Sequence, residues 1–196
     1  MGQVFQAIRP LIQRVGAVVI ITNSQRTAAE QAARRLGVDV SWLLAVIQSE
    51  SGGNPQIKNP TSSARGLIQF MDSTARDLGF SDSQDLVEAY PTFEAQVQGP
   101  VVQYFRAYAP FASKEEFIGS VFYPRNRHNL DAPLPDSVVA ANQSKFQTLR
   151  DYTDWVWSRY TGTKVVEAGA GVGLVAFALW GLWWLSKRKG GSRGRI

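Results

Sequence analysis

Residues 41–55 read SWLLAVIQSESGGNP, and the rest of the chain is best read outward from them. Ser41 is a residue type that caps helix N-termini, Trp42 to Ile47 are apolar throughout, and Gly52-Gly53 followed by Pro55 stops the helix. On a helix opened by Ser41, Glu50 shares a stripe with Leu43, Val46 and Ile47, at spacings of seven, four and three. A carboxylate at the end of an apolar stripe has two fates. It rotates into solvent at a frayed helix end, or it is held at the edge of a cleft, where desolvation raises its pKa. In the second case it keeps its proton near neutral pH, as a general acid must. Periodicity alone leaves both open.

The surrounding sequence predicts more helices. Thr27 to Leu36 reads as one, stopped by Gly37. Asp72 or Ser73 opens another that ends at Gly79, with Asp72 as its cap. Thr92 to Tyr108 is periodic, with a break or kink at Pro100. Ser113 and Glu116 have the spacing of a capping box before Phe117, Ile118, Val121 and Phe122, and Asp136 to Tyr160 is long and amphipathic in stretches. Alternating apolar runs are scarce, so residues 27–160 are expected to form one mostly α domain.

The chain has 196 residues, no cysteine and one histidine, His128. Disulfides, thiol nucleophiles, cysteine-based zinc sites and multi-histidine metal sites are excluded together, and no metal or cofactor is expected. The net charge of +5 is local: Lys187, Arg188, Lys189, Arg193 and Arg195 all lie in the last ten positions, and without them the 16 acids are matched by as many bases. A neutral body makes nucleic acid an improbable partner except through the basic tail at 187–196.

Before that tail, Ala168 to Ser186 carries no charge, and Trp180, Trp183 and Trp184 gather beside the basic cluster. This pattern predicts a single transmembrane helix over 165–186, a lipid bilayer as partner, and a single-pass protein of a virion membrane or bacterial inner membrane. Its enzymatic part would face away from the tail. Gly169 and Gly173 suggest a homo-oligomer through that helix. Residues 1–26 read as an amphipathic or apolar N-terminal segment.

Two motifs then reverse the balance at Glu50. Glu50-Ser51-Gly52-Gly53-Asn54-Pro55 is followed by Ala64-Arg65-Gly66-Leu67-Ile68-Gln69-Phe70-Met71, with Thr74-Ala75 and Leu78-Gly79 beyond. In order and separation the pair resembles the lysozyme-like lytic transglycosylases, over roughly Thr27 to Tyr123. The resemblance implies a mostly α, lysozyme-like fold of the goose-type or transglycosylase kind. It implies that Glu50 is catalytic and that Ser51, Gly66 and Gln69 line a glycan groove. The family's third motif, usually Ala-Tyr-Asn, is matched by Val121-Phe122-Tyr123-Pro124. Tyr123 keeps the hydroxyl while Pro124 replaces the asparagine, a form similar to that of phage-borne relatives.

Phe70 and Met71 are candidates for apolar sugar contacts or for core packing, and Gln96 and Gln103 for reaching the groove. Arg125, Arg127 and His128 form a cationic loop that suits peptide-stem carboxylates or plain solvation. The activity implied is cleavage of the β-1,4 bond between N-acetylmuramic acid and N-acetylglucosamine in peptidoglycan, carried by a virion for local wall penetration. Hydrolysis stays open if Asp39 or Asp131 approaches Glu50. The alternative is a non-catalytic lysozyme-like module that binds glycan or supports a virion or envelope assembly.

Overall fold

The computed structural model describes residues 18–161 and 164–167. In chain order, β1 (Val18–Ile21) is followed by α1 (Asn23–Leu36), α2 (Val40–Ser51), α3 (Asp72–Asp77), α4 (Ser83–Ala89) and α5 (Phe93–Gln96). A π-helical turn (Val97–Val101) leads into α6 (Val102–Arg106), then α7 (Lys114–Phe122), a 3-10 turn (Pro124–Asn126), α8 (Asp136–Ala141), α9 (Leu149–Thr161) and β2 (Lys164–Glu167). The helices form the body. The two short strands pair in parallel, Val18 opposite Lys164 through Ile21 opposite Glu167, and their β-branched residues suit that conformation.

Several elements differ from the sequence reading for local reasons. Helix α1 starts at Asn23 rather than Thr27, because Thr22 and Gln25 form a reciprocal capping box that satisfies two backbone N–H groups. Helix α2 is capped by Asp39, whose carboxylate accepts from the Ser41 amide at 2.7 Å, so Ser41 lies inside the helix. Pro100 does not interrupt the helical path. The wider π turn around it absorbs the missing N–H, and Tyr90 packs so closely there that a Cβ on Gly99 would come within 2.5 Å of its ring.

The stretch from Asp136 holds two helices. Gln143 and Ser144 adopt left-handed backbone angles (φ 55° and 58°) and turn the chain between α8 and α9. At α7 the capping box is half formed. Ser113 accepts from the Glu116 amide, but the Glu116 carboxylate reaches the amide of Ala112 instead of that of Ser113.

The transmembrane expectation is corrected. Among the described residues no helix is long and apolar enough to cross a membrane. Val165 to Glu167, assigned by sequence to the start of the 165–186 span, lie in a strand paired with β1. The bilayer partner and the single-pass localisation drawn from that span fall with it. Residues 168–186, including Gly169 and Gly173, the basic tail, and residues 1–17 lie outside the described residues.

Helix α2 is the axis of the domain. It packs against α1, α7 and α9, and Leu43, Leu44, Ala45, Val46 and Ile47 are all buried in sequence. Each large side chain among them contributes about 1.5–3 kcal/mol of burial, enough together to fix the helix and therefore the position of Glu50 near its end. Beside it, Phe105 stacks on Phe117 at 4.2 Å between centroids, with Phe111 edge-on to both.

Candidate active site

Glu50 sits in the last turn of α2, and the chain beyond it is locked. The Ser51 hydroxyl is buried, donates to the Ile47 carbonyl at 2.9 Å and accepts from the Gly53 amide at 3.2 Å. Gly52 takes the left-handed angle (φ 62°) that ends the helix. Ser51, expected to line the groove, therefore has its hydroxyl committed to the turn that fixes Glu50.

The Glu50 carboxyl is part-covered, with protein packed round it and some surface left to solvent. A direct partner comes from a helix a hundred residues away: the Tyr152 hydroxyl of α9 donates to Glu50 Oε1 at 2.6 Å. Burial raises the pKa of Glu50, and the Tyr152 hydrogen bond opposes the rise without cancelling it. No carboxylate is among the causes of the shift. Tyr152 is itself buried and stacked on Phe122 at 4.4 Å, with Phe146 edge-on, and both burial and the facing Glu50 push its phenol pKa well up. The phenol stays a donor. Tyr104 stands nearby; its hydroxyl donates to the Ser120 carbonyl at 2.7 Å, and its pKa is raised chiefly by burial, with a smaller contribution from the charge of Glu50.

The second motif is tied to the first through backbone. Gly66 donates its amide to the Ile57 carbonyl, and Arg65 bridges to Lys58 on one side and to Phe70 on the other. Gln96, with no exposed surface, pins three segments at once. Its Oε1 accepts from the Leu67 amide at 2.9 Å, and its Nε2 donates to the carbonyls of Pro55 and Tyr90 at 2.7 and 2.9 Å. Gln96 is thus a brace between the motifs rather than a groove residue. Gly66 is required by that brace, since a Cβ there would lie 2.7 Å from Gln96 Oε1, on a backbone at φ 76°. Gln69 holds a left-handed angle of 55° without being glycine, and its Nε2 donates to the Gly66 carbonyl at 3.2 Å. Phe70 is core and meets Tyr104 edge-on, whereas Met71 is exposed. Gln103 lies on the surface, against the Leu78 carbonyl.

Tyr123 ends α7 half-buried against the core, with no hydrogen bond from its hydroxyl among the described residues. The tyrosine that meets Glu50 is Tyr152. Sequence reasoning missed it, although a signal exists: Leu149, Tyr152, Thr153 and Val156 form the buried stripe of α9, and a tyrosine inside such a stripe needs a partner for its hydroxyl.

The acids considered as second carboxylates are occupied elsewhere. Asp39 caps the opposite end of α2, about 16 Å away along the axis at 1.5 Å per residue. Asp131 is exposed and paired in two-pronged fashion with Arg150, at 2.5 and 2.8 Å. Asp72 does not cap its own helix but accepts from the amide and hydroxyl of Ser83. In the cationic loop, Arg127 and His128 converge on the buried Glu116, at 3.7 and 3.0 Å, while Arg125 is exposed.

With this geometry in place, the comparison with known families is specific. Residues 27–91 match the family described as Transglycosylase SLT domain. Over that stretch, and not beyond it, the chain carries an SLT domain. No curated protein matches the chain. The matched stretch contains Glu50, both motifs and the turn between them, while Gln96, Tyr123 and Tyr152 lie beyond it.

Two outcomes follow from the site. Gln96→Ala leaves the Leu67 amide and the Pro55 and Tyr90 carbonyls without their partner, at about 1–3 kcal/mol for each group that water does not reach. Urea unfolding should show a loss of at least about 2 kcal/mol; an unchanged midpoint would contradict the brace. Because the folded pKa of Glu50 lies above its unfolded value, the favourable contribution of its carboxyl is complete below the unfolded pKa and is lost as pH rises through the folded one. Glu50→Gln should therefore raise the thermal midpoint at pH 7–8, and that gain should shrink toward zero as pH falls to about 4. A gain independent of pH, or a loss at neutral pH, would refute the desolvation argument.

Proposed function

We propose that this protein is a lytic transglycosylase that cuts the β-1,4 bond between N-acetylmuramic acid and N-acetylglucosamine in peptidoglycan. The observation that carries the reading is the Glu50 carboxyl, desolvated and held by Tyr152, inside a stretch that matches the SLT domain. Because Tyr152 donates to Oε1, the proton of the neutral acid resides on Oε2. That proton passes to the glycosidic oxygen as the bond to the anomeric carbon breaks and the N-acetylglucosamine leaves as an alcohol. The resulting carboxylate then accepts the proton of the C6 hydroxyl of the same muramic acid. The C6 oxygen closes on the anomeric carbon, giving a 1,6-anhydro end and restoring the acid.

This sequence needs only one carboxyl. Hydrolysis by the usual route needs a second, about 5–9.5 Å from the first, and neither Asp39 nor Asp131 is free to supply it. In this reading Tyr123 offers its unused hydroxyl to the glycan, Gln69 and the Gly66 backbone form the groove wall, and Ser51 acts through the turn it holds. The form of the third motif, Tyr123-Pro124, supports a virion setting with local wall opening during genome delivery.

A peptidoglycan zymogram tests the assignment. The wild-type protein should clear the gel, and Glu50→Gln should lose at least about a hundredfold of activity, in line with loss of a general acid. Mass analysis of the digest should show anhydro-muramic ends. Equal clearing by both proteins would remove Glu50 from the chemistry, and reducing ends would assign hydrolysis. No clearing by either would leave the non-catalytic glycan-binding module.

A further inference from the structure

Beyond the Glu50–Tyr152 pair, α9 and the turn before it carry a second arrangement. The Lys145 ammonium lies 3.4 Å from the centroid of the Trp155 indole and 4.9 Å from that of Phe146, and the Arg159 guanidinium lies over the same indole at 4.9 Å. Phe146 meets Trp155 at 5.5 Å and Tyr152 at 5.5 Å, so this cationic cluster is joined to the Glu50 site through one layer of aromatic rings.

Three features mark the cluster as a place for an anion. Lys145 is exposed yet forms no ion pair among the described residues, and no carboxylate is among the influences on it. Partial burial, and then the like charge of Arg159, push its pKa down. A carboxylate bound beside the Lys145 ammonium would favour its charged form against that burial. The backbone that presents Lys145 is also a costly one. Gln143 and Ser144, neither of them glycine, both take left-handed angles immediately before it, and the turn is fixed by the Ser144 amide on the Val139 carbonyl at 2.8 Å. Such strain is retained where the rest of the structure enforces it, and it gathers at ligand sites. By contrast, Arg127 and His128 of the cationic loop are taken up by Glu116.

We propose that Lys145, seated on Trp155 and Phe146, is a subsite for the carboxylates of the peptide stems, so that the protein prefers stem-bearing glycan to bare glycan. The subsite rests on the peptidoglycan reading above but is testable apart from it. A free stem tetrapeptide, titrated calorimetrically into the full-length protein, should bind the wild type. Lys145→Gln should weaken that binding about tenfold, or 1.4 kcal/mol, and Lys145→Arg should restore most of it. With peptidoglycan and amidase-stripped strands compared side by side, the wild-type preference in kcat/KM for stem-bearing material should fall toward one in Lys145→Gln. Peptide binding that is undetectable in wild type, or equal in wild type and Lys145→Gln, overturns the subsite. Lys145-dependent peptide binding by a protein that cuts no glycan upholds the subsite while the enzymatic reading fails.

Discussion

The hydrogen bond from Tyr152 to Glu50 is the contact on which the rest of the architecture turns. It joins the end of α2 to the first turn of α9, two helices brought together only by the fold. Desolvation acts on Glu50 in one direction and the phenol in the other. The burial of Tyr152 keeps the phenol from ionising, so it remains a donor and orients the carboxyl without taking its proton. An acid in solvent would be ionised at neutral pH, and one sealed in the core would never meet a substrate. Glu50 lies between these limits, crowded but not closed off.

Holding that balance requires rigid surroundings, and the structure supplies them through backbone ties rather than through additional charged groups near the carboxyl. Ser51 and Gly52 end α2 at a defined angle. Gln96 fastens the segment after the first motif to the second and to the end of α4. The requirement for glycine at position 66 is then explained by a side chain within the protein, which occupies the space a Cβ would need. The matched SLT stretch supplies the acid, and the remaining helices supply the groups that hold it.

Much of this was legible in the sequence. The apolar run from Leu43 to Ile47 placed α2 in the core and Glu50 at its end, and the two motifs gave the family resemblance from short-range order alone. What sequence could not convey was pairing across distance. Tyr152 is a hundred residues from Glu50, and no local period connects them, so Tyr123 was favoured for its place in the third motif. Gln96 draws its groove expectation from its place on a neighbouring helix, and Ser51 from the family resemblance. Both satisfy buried backbone groups, a need that exists only once the chain is folded. Where the stretch from Asp136 divides is not legible, because periodicity does not register two successive left-handed residues without glycine. Val165 and Val166 join the uncharged run that follows Glu167 in the sequence reading, because β-branched residues of a strand and the start of a membrane segment look alike over two positions.

The most direct test of this account is a carbon-detected NMR titration of the Glu50 carboxyl in the wild-type protein, assigned against Glu50→Gln. The account predicts a midpoint above that of an ordinary glutamate, near 4.3, and a further upward move in Tyr152→Phe, where desolvation acts unopposed. A midpoint at or below the ordinary value, or a downward move on loss of the phenol, would contradict it.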